Sequence, residues 1–435
     1  MSVSTEHSQT MYRRQVLGMP VALLWGFVAV ACFMVGDGIE QAFLSKYIVQ
    51  LGFTLTQSAL VFTVYGITVA VAAWLSGVFA DTWGPRRTMV IGFIIWVIFD
   101  VGFLTLGLST KNYPMMLVMY GLRGFGYPLF CYGFIVWIAY VSPKHKLSSA
   151  MGWFWFMYSI GIGVIGSYLP SFTIPHIGFL GTLWIAVGWI LVGGLMGVFL
   201  IRDKFDIKET DLPLKEKVRE LLSGILIVKE RPRIITAGIV KIINQLSMYG
   251  LPIIFPIYFT SKIGFTTSQW LQIWGDMFLV NMFMNVVWGF IGDKIGWHRQ
   301  VMWFGCVGTA VTTLLFYYVP LFAGKDYWLT VFVAILYGVS LAAFVPMSAI
   351  IPSIAPDRKG AAMSIHNLAS GISNFAAPAI VAGLLPFFNI QGVVWTFAVI
   401  YVIGAVLSYF LKVDQKAVSE DSPEMRTDSA VSYNN

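Results

Sequence analysis

The sequence predicts an all-α membrane protein of twelve transmembrane helices in two six-helix repeats, with both termini cytoplasmic. Three observations carry this reading. Of 435 residues, 57% are hydrophobic and only 11% charged, whereas a soluble chain carries about a quarter charged residues. Twelve apolar runs follow one another, each near the ~20 residues that cross a bilayer, and mean hydropathy is +0.76. The two halves also match each other in one register.

The runs lie at 20–47, 57–79, 87–108, 113–140, 147–170, 178–201, 233–260, 268–291, 299–320, 328–351, 360–385 and 391–412. The first is too long for a cleaved signal segment and lacks a small-residue cleavage site, so it reads as a retained helix. The longest interior polar stretch, 202–232, divides six runs from six. It reads as a cytoplasmic linker between an N-terminal half, 1–201, and a C-terminal half, 233–412. The polar, Ser-rich residues 413–435 read as a disordered cytoplasmic tail. Orientation follows from Lys and Arg in the loops. Of the 28 basic residues, 22 fall on the side holding the N-terminus and four on the other, while Arg123 and Lys241 lie inside runs. The net charge of +7 reflects this asymmetry, and no basic–aromatic motif suggests nucleic acid. Cys32, Cys131 and Cys306 all fall within runs and form no disulfide or metal pattern.

The repeat has an offset of 212 residues. "GFTLTQ" at Gly52 returns as "GFTTSQ" at Gly264, "GVFADTWGPRR" at Gly77 as "GFIGDKIGWHR" at Gly289, and Ala150–Met151 as Ala362–Met363. Two parallel six-helix units with a site between them is a transporter design. Each copy of the second motif reads as a charged latch at the cytoplasmic surface. Gly77 allows close helix approach, Asp81 sits at the membrane surface, Gly84 makes the turn, and Arg86 and Arg87 snorkel and pair with carboxylates. Gly289, Asp293, Gly296 and Arg299 repeat this arrangement. Such a latch can hold one conformation and release it in another. The plain alternative is ordinary cytoplasmic loop charge.

"GVFADTWGPRR" resembles the G-x-x-x-D-R-x-G-R-R signature of the major facilitator superfamily, in the loop where that family carries it. The resemblance extends over the whole chain through the six-plus-six plan and the second copy, and it implies that family's fold. The chain departs at Thr82 and Pro85, where the family has basic residues, which bears on the strength of the latch. Arg123 in "LRGFGYP" is similar to the family's fourth-helix arginine motif. The antiporter signature G-x-x-x-G-P-x-x-G-G is not met by "GIGVIGSYLP", and the sugar-porter loop motifs are absent. "GDGIEQAFLSKYIVQLGFT", "GWFWFMYSIGIGVIGSYLPSFTIP" and "AAFVPMSA" look like the polyol permease branch, which includes bacterial ribitol and D-arabinitol transporters. That resemblance implies a sugar-alcohol substrate.

Polar groups inside apolar runs are functional candidates, because each is costly unless paired or wet. Asp37 and Glu40 stand i, i+3 and share a helix face. Asp37 lies ten residues before the outer end of its run and Arg123 ten residues after the outer start of its own, so both sit about 15 Å deep. An Asp37–Arg123 pair could couple proton uptake to transport, since a carboxylate can alternate between an arginine and a proton. The resemblance points the same way, because proton-coupled members use acid–arginine pairs in these helices. The alternative is a fixed ion pair that only orders the N-terminal half. Glu40 reads as a substrate hydrogen-bond partner or gate, against a structural contact to Lys46. A polyol needs neutral donors and acceptors plus apolar walls. Asn244, Gln245, Asn281, His366 and Asn367 supply the first, and Trp155 and Tyr158 the second. For each amide the competing role is an interhelical tie. Asp100 reads as a structural hydrogen-bonding group on a peripheral helix.

The expected function is proton symport of a pentitol such as ribitol or D-arabinitol by alternating access. The alternatives are an uncoupled polyol facilitator and a symporter of a small organic anion, although anion sites generally use two or more intramembrane cations. No P-loop, catalytic triad or metal-ligand spacing appears, so no enzyme activity, cofactor or metal is expected. The expected partners are the polyol, protons and the lipid bilayer, with no nucleic acid, and the expected state is a monomer in the inner (plasma) membrane.

Overall fold

Long apolar runs leave the backbone one way to satisfy its hydrogen bonds in hydrocarbon, which is to coil. The computed structural model describes residues 15–16, 19–142, 147–201, 231–355 and 359–413. The expected linker and tail lie outside these residues, apart from 231, 232 and 413, and so do the side chains of Asp81 and Asp293.

The N-terminal half comprises α1 (Leu24–Gln50), α2 (Leu55–Trp83), α3 (Pro85–Gly102), α4 (Tyr113–Arg123), α5 (Gly126–Val141), α6 (Leu147–Ser159) and α7 (Gly166–Phe199). The C-terminal half comprises α8 (Pro232–Ile257), α9 (Thr267–Ile295), the short α10 (Trp297–Gln300), α11 (Gly308–Ala323), α12 (Tyr327–Ala342), α13 (Met347–Ile354), α14 (Lys359–Leu384) and α15 (Ile390–Tyr409). Among the described residues, strand pairing is confined to Gln15–Val16 with Met19–Pro20.

Among the described residues, eleven helical stretches are long and apolar enough to cross a membrane. Their ends follow the apolar runs closely: Leu55–Gly77 against 57–79, Thr267–Gly292 against 268–291 and Ile390–Tyr409 against 391–412. The count differs from twelve because the fifth and sixth runs join as Ala150–Phe199, 50 residues. A straight helix of that length would reach about 75 Å, against ~30 Å of hydrocarbon. It is not straight, since Gly178 leaves the helical region at φ 71° and ψ −179°.

The repeat is visible in the backbone. Thr54 and Thr266 head α2 and α9 with the same capping box, each closed by the glutamine three residues on, Gln57 and Gln269. This box satisfies two otherwise orphaned N–H groups. Gly84 and Gly296 end those helices at φ 87° and 100°, a region that an L side chain enters only at a cost.

One apolar core runs through both halves. Between the halves, α2 packs on α14 and α1 on α8. Large apolar side chains such as Ile98, Phe290, Trp328 and Phe387 point outward, a surface suited to lipid rather than water.

Candidate functional site

The most concentrated polar chemistry among the described residues lies where α1, α2, α3 and α4 meet. Arg123 is the last residue of α4, where a cation also suits the helix dipole. Its guanidinium is fully buried and touches three fully buried carboxylates. It lies 2.9 Å from Asp37, 3.0 Å from Glu40 and 3.2 Å from Asp100. Three rings cage it, with Trp96, Tyr120 and Tyr65 centred 4.2, 4.8 and 5.4 Å from the guanidinium carbon. Such rings stabilise a desolvated cation by their quadrupoles.

Close helix packing builds this pocket. At Gly38 a Cβ would collide with the Ile162 carbonyl, so only glycine lets α1 lie this near the turn that joins α6 to α7. The bare position brings Asp37, Glu40 and Gln41 to the core instead of the membrane. On α4, Thr68 of α2 donates to the Gly121 carbonyl at 2.5 Å, which pins Arg123 at this depth.

The three acids differ in their surroundings. Asp37 is well solvated by protein. Its Oδ1 accepts from Arg123 Nη2 at 2.9 Å, Trp96 Nε1 at 3.1 Å and the Tyr65 hydroxyl at 3.4 Å. Its Oδ2 accepts from Gln41 Nε2 at 2.9 Å. Neither oxygen of Glu40 nor of Asp100 accepts a hydrogen bond from a described residue. The pairing of Asp37 with Arg123 matches the depth argument. Glu40, read as a substrate partner or gate, lies inside the cluster, because its position on α1 faces Arg123 of α4. Lys46 instead donates to Thr267 at 2.5 Å. Asp100, read as peripheral, completes the cluster.

Gln41 leads from the cluster to the boundary between the halves. There Gly38, Gln41, Ser167, Tyr249, Trp274 and Phe278, among others, line a cavity of about 10 Å³, room for roughly one water. None of the residues expected to bind substrate lines it. Asn244 is buried and accepts from Lys241 Nζ at 3.3 Å. The Oε1 of Gln245 is buried with no hydrogen-bond partner among the described residues. His366 and the exposed Asn367 lie on α14, which packs along α8, and their side chains are 3.4 Å apart. Asn244 and Gln245 thus lie on one helix of the C-terminal half, and His366 and Asn367 on a second that packs along it. Asn281 stands apart from them, since its amide donates to the Gly338 carbonyl at 2.9 Å and so ties α9 to α12. Tyr158 is buried, and Trp155 stacks edge-on against it at 5.5 Å while remaining 47% exposed.

The side of the molecule that the basic-residue count assigns to the exterior is stitched together. Ser45 donates to the Ile253 carbonyl at 2.5 Å, Trp270 to the Ala42 carbonyl at 3.1 Å and Ser268 to the Ser171 carbonyl at 2.7 Å. The Tyr168 hydroxyl donates to Asp276. At the opposite side Gly77 and Gly289 do not make the close approach expected of them, for a Cβ on either would meet open space. Arg86 donates to the Val198 carbonyl at the end of α7, while Arg87 and Arg299 are exposed.

Comparison with known proteins gives three kinds of likeness. The Major Facilitator Superfamily profile matches residues 26–284 and 237–432. The chain is 46% identical to the D-arabinitol transporter of Klebsiella pneumoniae, over 95% of this chain and 97% of that one. It is 45% identical to the ribitol transporter of the same organism, over 94% and 96%. It is 42% identical to the alpha-ketoglutarate permease of Bacillus subtilis (strain 168), over 95% and 93%. In fold it resembles the crystal structure of the nucleoside transporter NupG (D323A mutant), with a TM-score of 0.68 at 15% identity, covering 90% of this chain and 98% of that one.

Proposed function

Because this chain belongs to the Major Facilitator Superfamily, a multi-pass transporter family of the inner membrane rather than an enzyme family, we propose that it imports a pentitol by proton symport. The observation that carries the substrate class is nearly full-length similarity to transporters named for D-arabinitol and ribitol. The charge balance supports a neutral substrate. The one cation of the N-terminal cluster, Arg123, already faces three carboxylates. A substrate anion would have to compete with them.

The break at Gly178 is read as dividing two membrane crossings, which gives twelve spans, six in each half, with both termini cytoplasmic and residues 202–232 linking the halves. The protein works as a monomer. Its halves rock about the central cavity to give alternating access, and the cross-half bonds of Ser45, Trp270 and Ser268 support a conformation closed outside. The latch residues Gly84, Arg86, Arg87, Gly296 and Arg299 hold the opposite conformation, together with Asp81 and Asp293. The polyol binds between Tyr158 and Trp155 on one side and Asn244, Gln245, His366 and Asn367 on the other, with Gln41 touching it from α1. Gln41 also holds Asp37, so substrate and ion cluster share one side chain.

The similarity to an alpha-ketoglutarate permease favours a second reading, a dicarboxylate substrate held by Lys241. Uptake of radiolabelled ribitol and D-arabinitol into proteoliposomes, with and without an inward proton gradient, separates the two. Pentitol uptake that excess pentitol suppresses and alpha-ketoglutarate does not is expected. The reverse pattern would refute the polyol substrate.

A further inference from the structure

We propose that the transported proton is held by the carboxyl pair Glu40–Asp100, a site distinct from the Asp37–Arg123 ion pair that sequence reasoning favoured. The inference rests on the symport reading for its role in transport, but the site itself stands on geometry.

The cluster sets three carboxylates against one guanidinium, all fully buried. Fully ionised it would carry two excess negative charges away from water, and an uncompensated buried charge costs several kcal/mol. At least one acid must therefore hold a proton. The groups that surround Arg123 beside the pair are Asp37 on α1, Tyr65 on α2, Trp96 on α3 and Tyr120 on α4. None of these supplies a positive charge, so Arg123 is the cation of the cluster.

Asp37 is the poor candidate. Four donors point at its two oxygens, and such bonds stabilise the ionised form. A proton there would displace one of them. Glu40 and Asp100 are the reverse case. Both lie against one guanidinium, Glu40 Oε2 at 3.0 Å from Nη2 and Asp100 Oδ1 at 3.2 Å from Nε. Among the described residues none makes a hydrogen bond to any of their four oxygens, and two ionised carboxylates can offer each other none, because both only accept. One proton shared by two acids held on the same guanidinium gives the pair the donor it lacks and removes one excess charge. Arg123 Nη2 and Nε, at 3.0 and 3.2 Å from Glu40 and Asp100, balance the charge that remains. The proton arrives from the exterior and leaves to the cytoplasm when the cluster opens, so no other reactant is needed.

The test is infrared spectroscopy of the full-length protein in lipid at neutral pH, reading the carbonyl stretch of a protonated, buried carboxylic acid. Among the described residues Glu40 is the one fully buried glutamate, so isotopic labelling of glutamate carboxyls reports on it selectively. The wild type is expected to show the band. Labelled glutamate and labelled aspartate should each shift it, and Glu40→Gln and Asp100→Asn should each remove it. Asp100→Glu keeps the pair and should keep a band, which guards against variants that misfold. Absence of the band in the wild type overturns the proposal, as does a band that only aspartate labelling shifts. In parallel, Asp100→Asn should lose gradient-driven accumulation while retaining pentitol exchange between the two sides. A wild type that shows the band but never accumulates substrate would sink the symport reading alone and leave the proton site standing.

Discussion

At the level of single residues, the Arg123 fork is what organises the buried charge. A guanidinium reaches carboxylates on α1 and α3 at once and stacks on Trp96, whereas an ammonium is a single point of charge. Arg123→Ala is expected to destabilise the protein by about 3–5 kcal/mol, the cost of leaving buried charges unpaired, read as a lowered thermal denaturation midpoint in detergent. Arg123→Lys should keep part of that stability and lose most uptake. Uptake near wild type in Arg123→Lys would show that the fork is dispensable. Gln41→Ala removes the bond that links the cavity to Asp37. Its expected result is pentitol binding that persists with a lower accumulation ratio, and an unchanged ratio would count against Gln41 as the link. Asp37 and Arg123 could be paired from sequence because depth along a helix is simple arithmetic. Asp100 could not, because one sequence does not reveal which face of α3 turns inward. Gln41 is a neutral amide whose role depends on its reach to Asp37 and to the cavity, which spacing along one helix does not specify.

Among the helices, legibility followed hydropathy. Apolar runs gave the helices and most of their ends, since a membrane helix must be long and apolar whatever it packs against. The junction at Gly178 was harder, because the chain stays helical up to and beyond the bend and one glycine makes the break. Close contacts were also mixed. Gly77 and Gly289 were read as packing positions and face open space, while Gly38, unremarkable in sequence, sits against the Ile162 carbonyl. Packing depends on which conformation is seen, and composition carries no record of that. Gly38→Ala is therefore expected to destabilise the fold by about 1–3 kcal/mol, whereas Gly289→Ala should change it little. A denaturation series on the two variants checks this, and equal midpoints would contradict the assigned packing of α1.

Across the whole molecule, the two halves share a backbone plan but not a chemistry. The capping boxes and the turn glycines repeat at 212 residues, yet the positions equivalent to Asp37, Asp100 and Arg123 are Tyr249, Thr312 and Ile335. The ion cluster is thus confined to the N-terminal half, and the C-terminal half offers neutral groups to the cavity. This division suits a carrier that handles a proton on one side and a neutral polyol between the two. The cross-half bonds on the side that the basic-residue count assigns to the exterior should make that closure separable from the fold. A disulfide between Ser171→Cys and Ser268→Cys is expected to stop transport and release it on reduction, with denaturation unaltered; transport that continues with the bond formed would contradict an outer gate there. The most direct test of the central claim is pentitol accumulation in proteoliposomes holding the purified protein under an imposed inward proton gradient. Accumulation above the external concentration that a protonophore collapses is the expected result. Equilibration to the external concentration alone, with or without the gradient, would contradict proton-coupled transport.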